Sequence, residues 1–253
     1  MREKILKYLA ELEKKEGINI LLAVESGSRA WGCPSPDSDY DVRIMFVRPL
    51  EAYLSVVKPV EDLNIFHGKL MDINGWDVRK VFGLIRKSNA TPFEWSQSPV
   101  VYREKDNFSE TVLALCKTYF RPYHAVNHYR GIAKNSYQLN PADGTIKLKK
   151  LFYVLRPLLA AKWILDKKTV PPMDLPNLMT EISDAKVLDR IQELLLFKTT
   201  ANEDYVHTLE PLLMDYITHL FAIVESAKLV APRELIPPAA LDQAFQKLIL
   251  PNA

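Results

Sequence analysis

A chain of 253 residues, 48% hydrophobic and 25% charged, is long enough for one large domain or two modest ones, and its composition excludes intrinsic disorder. Its formal net charge of +2 is too small to mark a nucleic-acid binder and too small to exclude one with a local basic patch, so partners must be argued locally. Cys33 and Cys116 form no Cys-x-x-Cys pair, the first helix is charged, and no apolar run reaches the roughly eighteen residues of a membrane span; a reduced, soluble, cytoplasmic protein without a membrane partner is expected.

Residues 2 to 15, "REKILKYLAELEKK", place Ile5, Tyr8, Leu9 and Leu12 at three- and four-residue spacing, which predicts an amphipathic helix ended by Gly17. The apolar "INILLAV" from Ile18 predicts a strand that leads into a Ser26-Gly27-Ser28 turn, and "RAWG" leaves room for a turn or two of helix. "PSPDSD" is a loop by composition, and "YDVRIMFV" a second strand closed by Arg48-Pro49. "LNIFHGKLMDI" gives strand segments broken near His67-Gly68. Asp77 precedes "VRKVFGLIRKS", whose Val78, Val81, Phe82 and Ile85 share one helical face, so Asp77 has the position of an N-cap.

"KSNATPFEWSQSP" is a helix exit followed by a proline-bounded turn. From Phe108 onward helical patterns dominate, at about 108–120, 122–137, 146–167, 183–198 and 208–230, followed by a proline-rich connection and a short terminal helix. The simplest partition is an α/β domain over 1–105 followed by a helical domain over 106–253.

The chemistry concentrates in "AVESGSRAWGCPSPDSDYDVRIMFV", residues 23 to 47. Side chains alternate along a strand, so Asp39, Asp41 and Arg43 face one side while Tyr40 and Val42 face the other. Neighbouring carboxylates repel unless a cation lies between them, and magnesium accepts carboxylate oxygens together with substrate phosphates. Two ions held this way activate an attacking hydroxyl and stabilise a leaving phosphate. A third acid from an adjacent strand is needed; Asp72, flanked by apolar residues, is favoured, and Asp77 is its rival. Gly27 lets backbone approach a phosphate and Ser28 adds a hydroxyl. The plain alternative is a polar loop whose aspartates cap turns.

The Gly-Ser turn followed by Asp-x-Asp on the next strand resembles the DNA polymerase beta superfamily of nucleotidyltransferases. More closely, "ESGSRAWG" at 25–32, "SDYDVR" at 38–43, "DINGWDVRK" at 72–80 and the later "NHYRGIAKNSY" and "KKLFYVLRPLLAAKWI" are similar to the YcgL-like, RNA-repair (RlaP-like) group. The resemblance implies an α+β fold, with a minimal nucleotidyltransferase core of mixed sheet and flanking helices followed by a helical bundle. It also implies transfer of a nucleoside monophosphate from a nucleoside triphosphate, ATP by preference, to an acceptor hydroxyl, with pyrophosphate released. Asp39, Asp41 and Asp72 would hold magnesium, two ions in all, Ser28 the triphosphate, and Asp72 would help deprotonate the acceptor. RNA is the first acceptor to consider, through resemblance alone. The alternatives are a small molecule or protein side chain as acceptor, and a non-catalytic nucleotide-binding or antitoxin-like module.

Arg29 and Arg43 flank this segment and are placed to neutralise triphosphate, although by parity Arg43 equally suits pairing with Asp39 and Asp41. Lys149, Tyr153 and Arg156 recur at four and three residues, a polar helical stripe suited to triphosphate if it faces the first domain. Glu25 is a strand-end acid that either orients Arg29 or Ser28 or sits at the surface, and Trp31 suits core packing better than base stacking. His124 and His128 lack the further ligands zinc needs, and Cys33 has no histidine near it in sequence to activate it. A homo-oligomer is allowed but not indicated.

Overall fold

The computed structural model describes residues 1–67 and 70–250. In chain order the elements are α1 (Arg2–Glu16), β1 (Asn19–Glu25), α2 (Gly27–Ala30), β2 (Tyr40–Val47), α3 (Leu50–Leu54), β3 (Asp62–His67), β4 (Met71–Asp77), α4 (Val78–Arg86), α5 (Ala90–Trp95), β5 (Val101–Glu104) and α6 (Phe108–Tyr119). Then follow α7 (Pro122–Ser136), β6 (Thr145–Lys147), α8 (Leu148–Lys167), α9 (Leu175–Met179), α10 (Ala185–Lys198), β7 (Val206–Thr208), α11 (Pro211–Ser226) and α12 (Ala239–Ile249). The architecture is α+β, a mixed five-stranded sheet with flanking helices followed by a helical region.

By packing, the chain forms two compact units, one of Met1–Gly27, Asp39–Tyr119 and Glu234–Ala253, the other of Ser28–Ser38 and Phe120–Arg233. Both differ from a single cut after residue 105, because the 28–38 segment packs with the helical unit and the terminal helix packs against α4 in the unit that holds the sheet.

In the first unit the sheet order is β3-β4-β2-β1-β5. β2 and β4 run parallel, and every other pairing in this sheet is antiparallel. β1 lies between β2 and β5 with α1 and α6 packed against it, and six of its seven residues are buried, which is why it reads as a nearly continuous apolar run. Ile5, Leu9 and Leu12 of α1 pack with Val42, Ile44, Phe46, Met71 and Ile73, so one face of β2 and β4 closes a core. Gly17 ends α1 in the left-handed conformation and returns its N–H to the carbonyl of Glu13.

The expected break at His67-Gly68 falls where β3 ends, and Gly68 lies outside the described residues. β5, only four residues after Pro99, is too short for alternation to mark it, yet it pairs with β1. The turn read at 89–95 is instead the short α5, because Asn89 accepts from the N–H of Thr91 as a cap and Pro92 falls in the first turn, where its missing N–H costs nothing.

The second unit is organised on α8, which is buried along most of its twenty residues, with α7 and α11 packed against it. β6 and β7 form a small antiparallel ribbon. Among the described residues no helix is long and apolar enough to cross a membrane.

Candidate active site

The parallel register of β2 and β4 places Asp41 directly beside Asp72 and Arg43 beside Asn74. Strand alternation turns these side chains away from the α1-packed core, and Asp41, Arg43 and Asp72 are all half-buried. One terminal nitrogen of Arg43 lies 2.8 Å from Asp41 Oδ1 and 2.9 Å from Asp72 Oδ2, so a single guanidinium nitrogen bridges the two acids. The other, Nη1, donates to the carbonyls of Val42 and Asp72, each at 3.2 Å. The charge pairing that parity suggests for Arg43 is therefore present with Asp41, and it extends to a second strand.

The turn after β1 lies against Asp41. Ser26 donates its N–H to the carbonyl of Asp41 at 2.8 Å. Gly27 adopts φ +59°, and a Cβ there would fall 2.0 Å from Asp41 Oδ2. Glycine is required on both counts, conformation and space. Glu25 is fully buried rather than at the surface: its Oε1 accepts the N–H of Asp41 at 2.7 Å, and its Oε2 accepts the hydroxyl of Tyr102. Ser98 donates to the Glu25 carbonyl at 2.6 Å. Neither Glu25 nor Tyr102 could be assigned from sequence, since the partners are 77 residues apart.

Asp39 precedes β2 and is exposed. Asp77, at the far end of β4 and of opposite parity, is buried and caps α4, accepting from the N–H of Arg79 at 2.8 Å and the hydroxyl of Tyr53 at 3.0 Å. Burial pushes its carboxyl above the ordinary aspartate value against the pull of those two bonds. Asp77 thus has a structural occupation, and the acid beside Asp41 is Asp72.

Among the described residues, no three His, Cys, Asp or Glu side chains are gathered as a ready-made metal set. The donors nevertheless suit magnesium: Asp41 and Asp72 already share one cation, and two or three carboxylates leave coordination positions for phosphate and water.

In the second unit, Ser28 donates to Ser38 at 3.1 Å and Ser38 donates to Glu203 Oε1 at 2.9 Å. Lys149 contacts Glu203 Oε2 at 2.7 Å, and Arg29 donates to the Ser38 carbonyl at 2.7 Å. Lys198 is buried and donates to Ser35 at 2.9 Å; burial lowers its pKa. Of the helical stripe, Lys149 therefore joins Ser28 and Arg29 in one network. Arg156 is buried with its guanidinium 4.2 Å over Trp31 and its Nε on the Met173 carbonyl at 2.8 Å, while Tyr153 meets Trp31 edge-on at 4.9 Å. Glu203 and Lys198 carry no local sequence signal, because their roles arise only where 198–203 meets the 28–38 segment. Burial pushes the Cys33 thiol up to about 11, which keeps it protonated and unsuited to attack.

Over residues 1–247 the chain matches the family described as "RlaP: RNA repair pathway DNA polymerase beta family". It is similar to "Uncharacterized protein YcgL" of Bacillus subtilis (strain 168), with 39% identity over 204 residues that cover 81% of this chain and 78% of that protein. Among solved structures it is similar to a nucleotidyltransferase-like protein from Exiguobacterium sibiricum 255-15, at 12% identity and a TM-score of 0.31, covering 87% of this chain and 73% of that one, too distant a likeness to carry an argument.

Proposed function

Since the chain belongs to the RlaP family of RNA-repair-pathway DNA polymerase beta proteins, we propose that it moves a nucleoside monophosphate from a nucleoside triphosphate, ATP by preference, to an RNA-end hydroxyl. The observation that carries this reading is the pair Asp41 and Asp72, set side by side by strand register and sharing one cation. A fold of this superfamily without catalysis has no evident need to hold two half-buried acids together around a single positive charge.

Asp39, Asp41 and Asp72 would hold magnesium. When bound, the metal supplies activation of the acceptor hydroxyl and charge stabilisation at the leaving phosphate. Asp72 takes the acceptor proton as the acceptor oxygen forms its bond to the α-phosphorus; the bond from that phosphorus to the bridging oxygen breaks and pyrophosphate leaves. Glu25 keeps Asp41 in place by accepting its N–H. Gly27 exposes backbone to the triphosphate; within the second unit, Ser28, Arg29 and Lys149 form one network whose hydroxyl and two positive charges suit phosphate oxygens. Tyr153 and Arg156 support the same function by holding Trp31. The family description supports RNA as the acceptor to test first, and a reducing cytoplasm suits two buried free thiols.

The test is incubation of the protein with each α-labelled nucleoside triphosphate, magnesium and total cellular RNA, beside an Asp41→Asn variant. Label entering RNA only with Asp41 intact is expected and identifies the base. Label in protein or a small molecule moves the acceptor elsewhere, and label in none of them sinks the enzyme reading.

A further inference from the structure

Arg43 is the residue whose position says more than the proposed chemistry requires. A guanidinium that served only the triphosphate would project from the sheet toward solvent. Instead one nitrogen spans both acids at 2.8 and 2.9 Å, while the other is held by two carbonyls of β2 and β4. The side chain keeps only 17% exposure, against 26% and 33% for Asp41 and Asp72. Its partners are the carboxylate oxygens that a divalent ion would claim. The cluster of Asp41, Arg43 and Asp72 carries a formal charge of −1, so attraction for a cation remains, but weakened by the resident one.

Resting on the metal-dependent reading above, we propose that Arg43 is a built-in counter-ion that holds Asp41 and Asp72 together without metal and must leave them for metal to enter. Both bonds are partly buried ion pairs in which each carboxylate keeps some solvent access, so the partner can be exchanged. The hard divalent ion gains more from carboxylate oxygens than a delocalised monocation does, so exchange proceeds toward metal, but from a weaker starting affinity. The released guanidinium then has to find anionic oxygens, and those of an arriving triphosphate are of the right chemistry. Arg43 is by this account a positioning residue that makes metal bind poorly alone and well with substrate.

The experiment is isothermal titration of the full chain with manganese chloride alone, for the wild type, Arg43→Gln, Arg43→Lys and Asp41→Asn, each checked as folded by circular dichroism. Arg43→Gln should bind manganese about fivefold more tightly than wild type, at least the scale of a solvent-accessible ion pair. Arg43→Lys, which keeps the charge, should return to within about twofold of wild type, and Asp41→Asn should lose the site. A merely structural arginine predicts the opposite, weaker manganese binding when it is removed. Unchanged or weaker binding by Arg43→Gln, with wild-type binding abolished by Asp41→Asn, overturns the counter-ion role while leaving the metal site standing. No binding by the folded wild type or Arg43→Gln overturns both.

Discussion

The two ends of β4 each carry an aspartate, and the strand gives them opposite fates. Asp72, at its start, faces the half-open side of the sheet, and a guanidinium offsets its charge. Asp77, five residues on and so of the other parity, is buried and bonded to the start of α4 and to Tyr53. A carboxylate that is to exchange ligands must keep solvent access and a replaceable partner. One that holds structure together is best enclosed with fixed donors. Asp72 has the first environment and Asp77 the second.

The largest expected effect breaks the comparison at Asp72. Asp72→Asn keeps size and hydrogen bonding but removes the charge and the proton acceptor, and should lower nucleotide transfer by about 10³-fold, the equivalent of several kcal/mol of lost metal-assisted stabilisation. Its melting temperature should stay near wild type, because Asp72 keeps solvent access and Arg43 retains Asp41 as a partner. An equal loss of activity in Asp77→Asn without loss of stability would instead return the third-acid role to Asp77.

Next is Gly27→Ala. The added methyl would lie 2.0 Å from Asp41 Oδ2, so the carboxylate or the turn must move. Misplacing a reacting group by about 1 Å can cost about 10²-fold in rate, and that loss is expected in the turnover number for label transfer. Folding should suffer as well, by about 1–3 kcal/mol for a non-glycine residue held at φ +59° beside a clash, measurable by urea denaturation.

How much of this could be read from the sequence depended on how local each feature is. Asp41 and Arg43 share a face by alternation within β2, whereas Asp39, expected to join them, precedes the strand; the Asp77 cap shows in the helical pattern that follows it. Asp72 could be favoured but not fixed, because its place beside Asp41 depends on a parallel pairing between strands separated by a further helix and strand. Glu25 was the least legible: a carboxylate at a strand end reads as solvated until the distant hydroxyl of Tyr102 and the N–H of Asp41 are seen to enclose it. Arg156 illustrates the converse. Helical spacing set it in a polar stripe, whereas the fold buries it over Trp31 with its Nε on the Met173 carbonyl. Spacing on α8 says which residues are neighbours, and not which neighbour from another element covers them.

Removing the enclosed acid sharpens the contrast from the other side. Asp77→Ala takes away the α4 cap and the acceptor for Tyr53, and should cost about 1–2 kcal/mol of stability in urea. At temperatures where it remains folded, transfer should stay within about threefold of wild type, since loss of a cap acts through the folded fraction. A loss of transfer as large as that of Asp72→Asn in fully folded protein would mean that the two ends of β4 are not separate in function.

The smallest effect is a pH dependence that belongs to Asp77. Burial raises its carboxyl above the value it has in the unfolded chain, about 3.9, so the native state holds this proton more tightly than the unfolded state does. The unfolded state then binds fewer protons across the interval between the two values, and stability falls as pH rises through it. The contribution is fully present below the unfolded value and lost once pH has passed the raised native value. Asp77→Asn does not titrate, so the melting temperature of the wild type minus that of the variant should be highest at the acid end of the interval and decline toward neutral pH. Other carboxylates titrate equally in both proteins and cancel in the difference. A difference that grew with pH would show that the bonds from Arg79 and Tyr53 outweigh burial, and Asp77 would then be a carboxylate stabilised in its charged form.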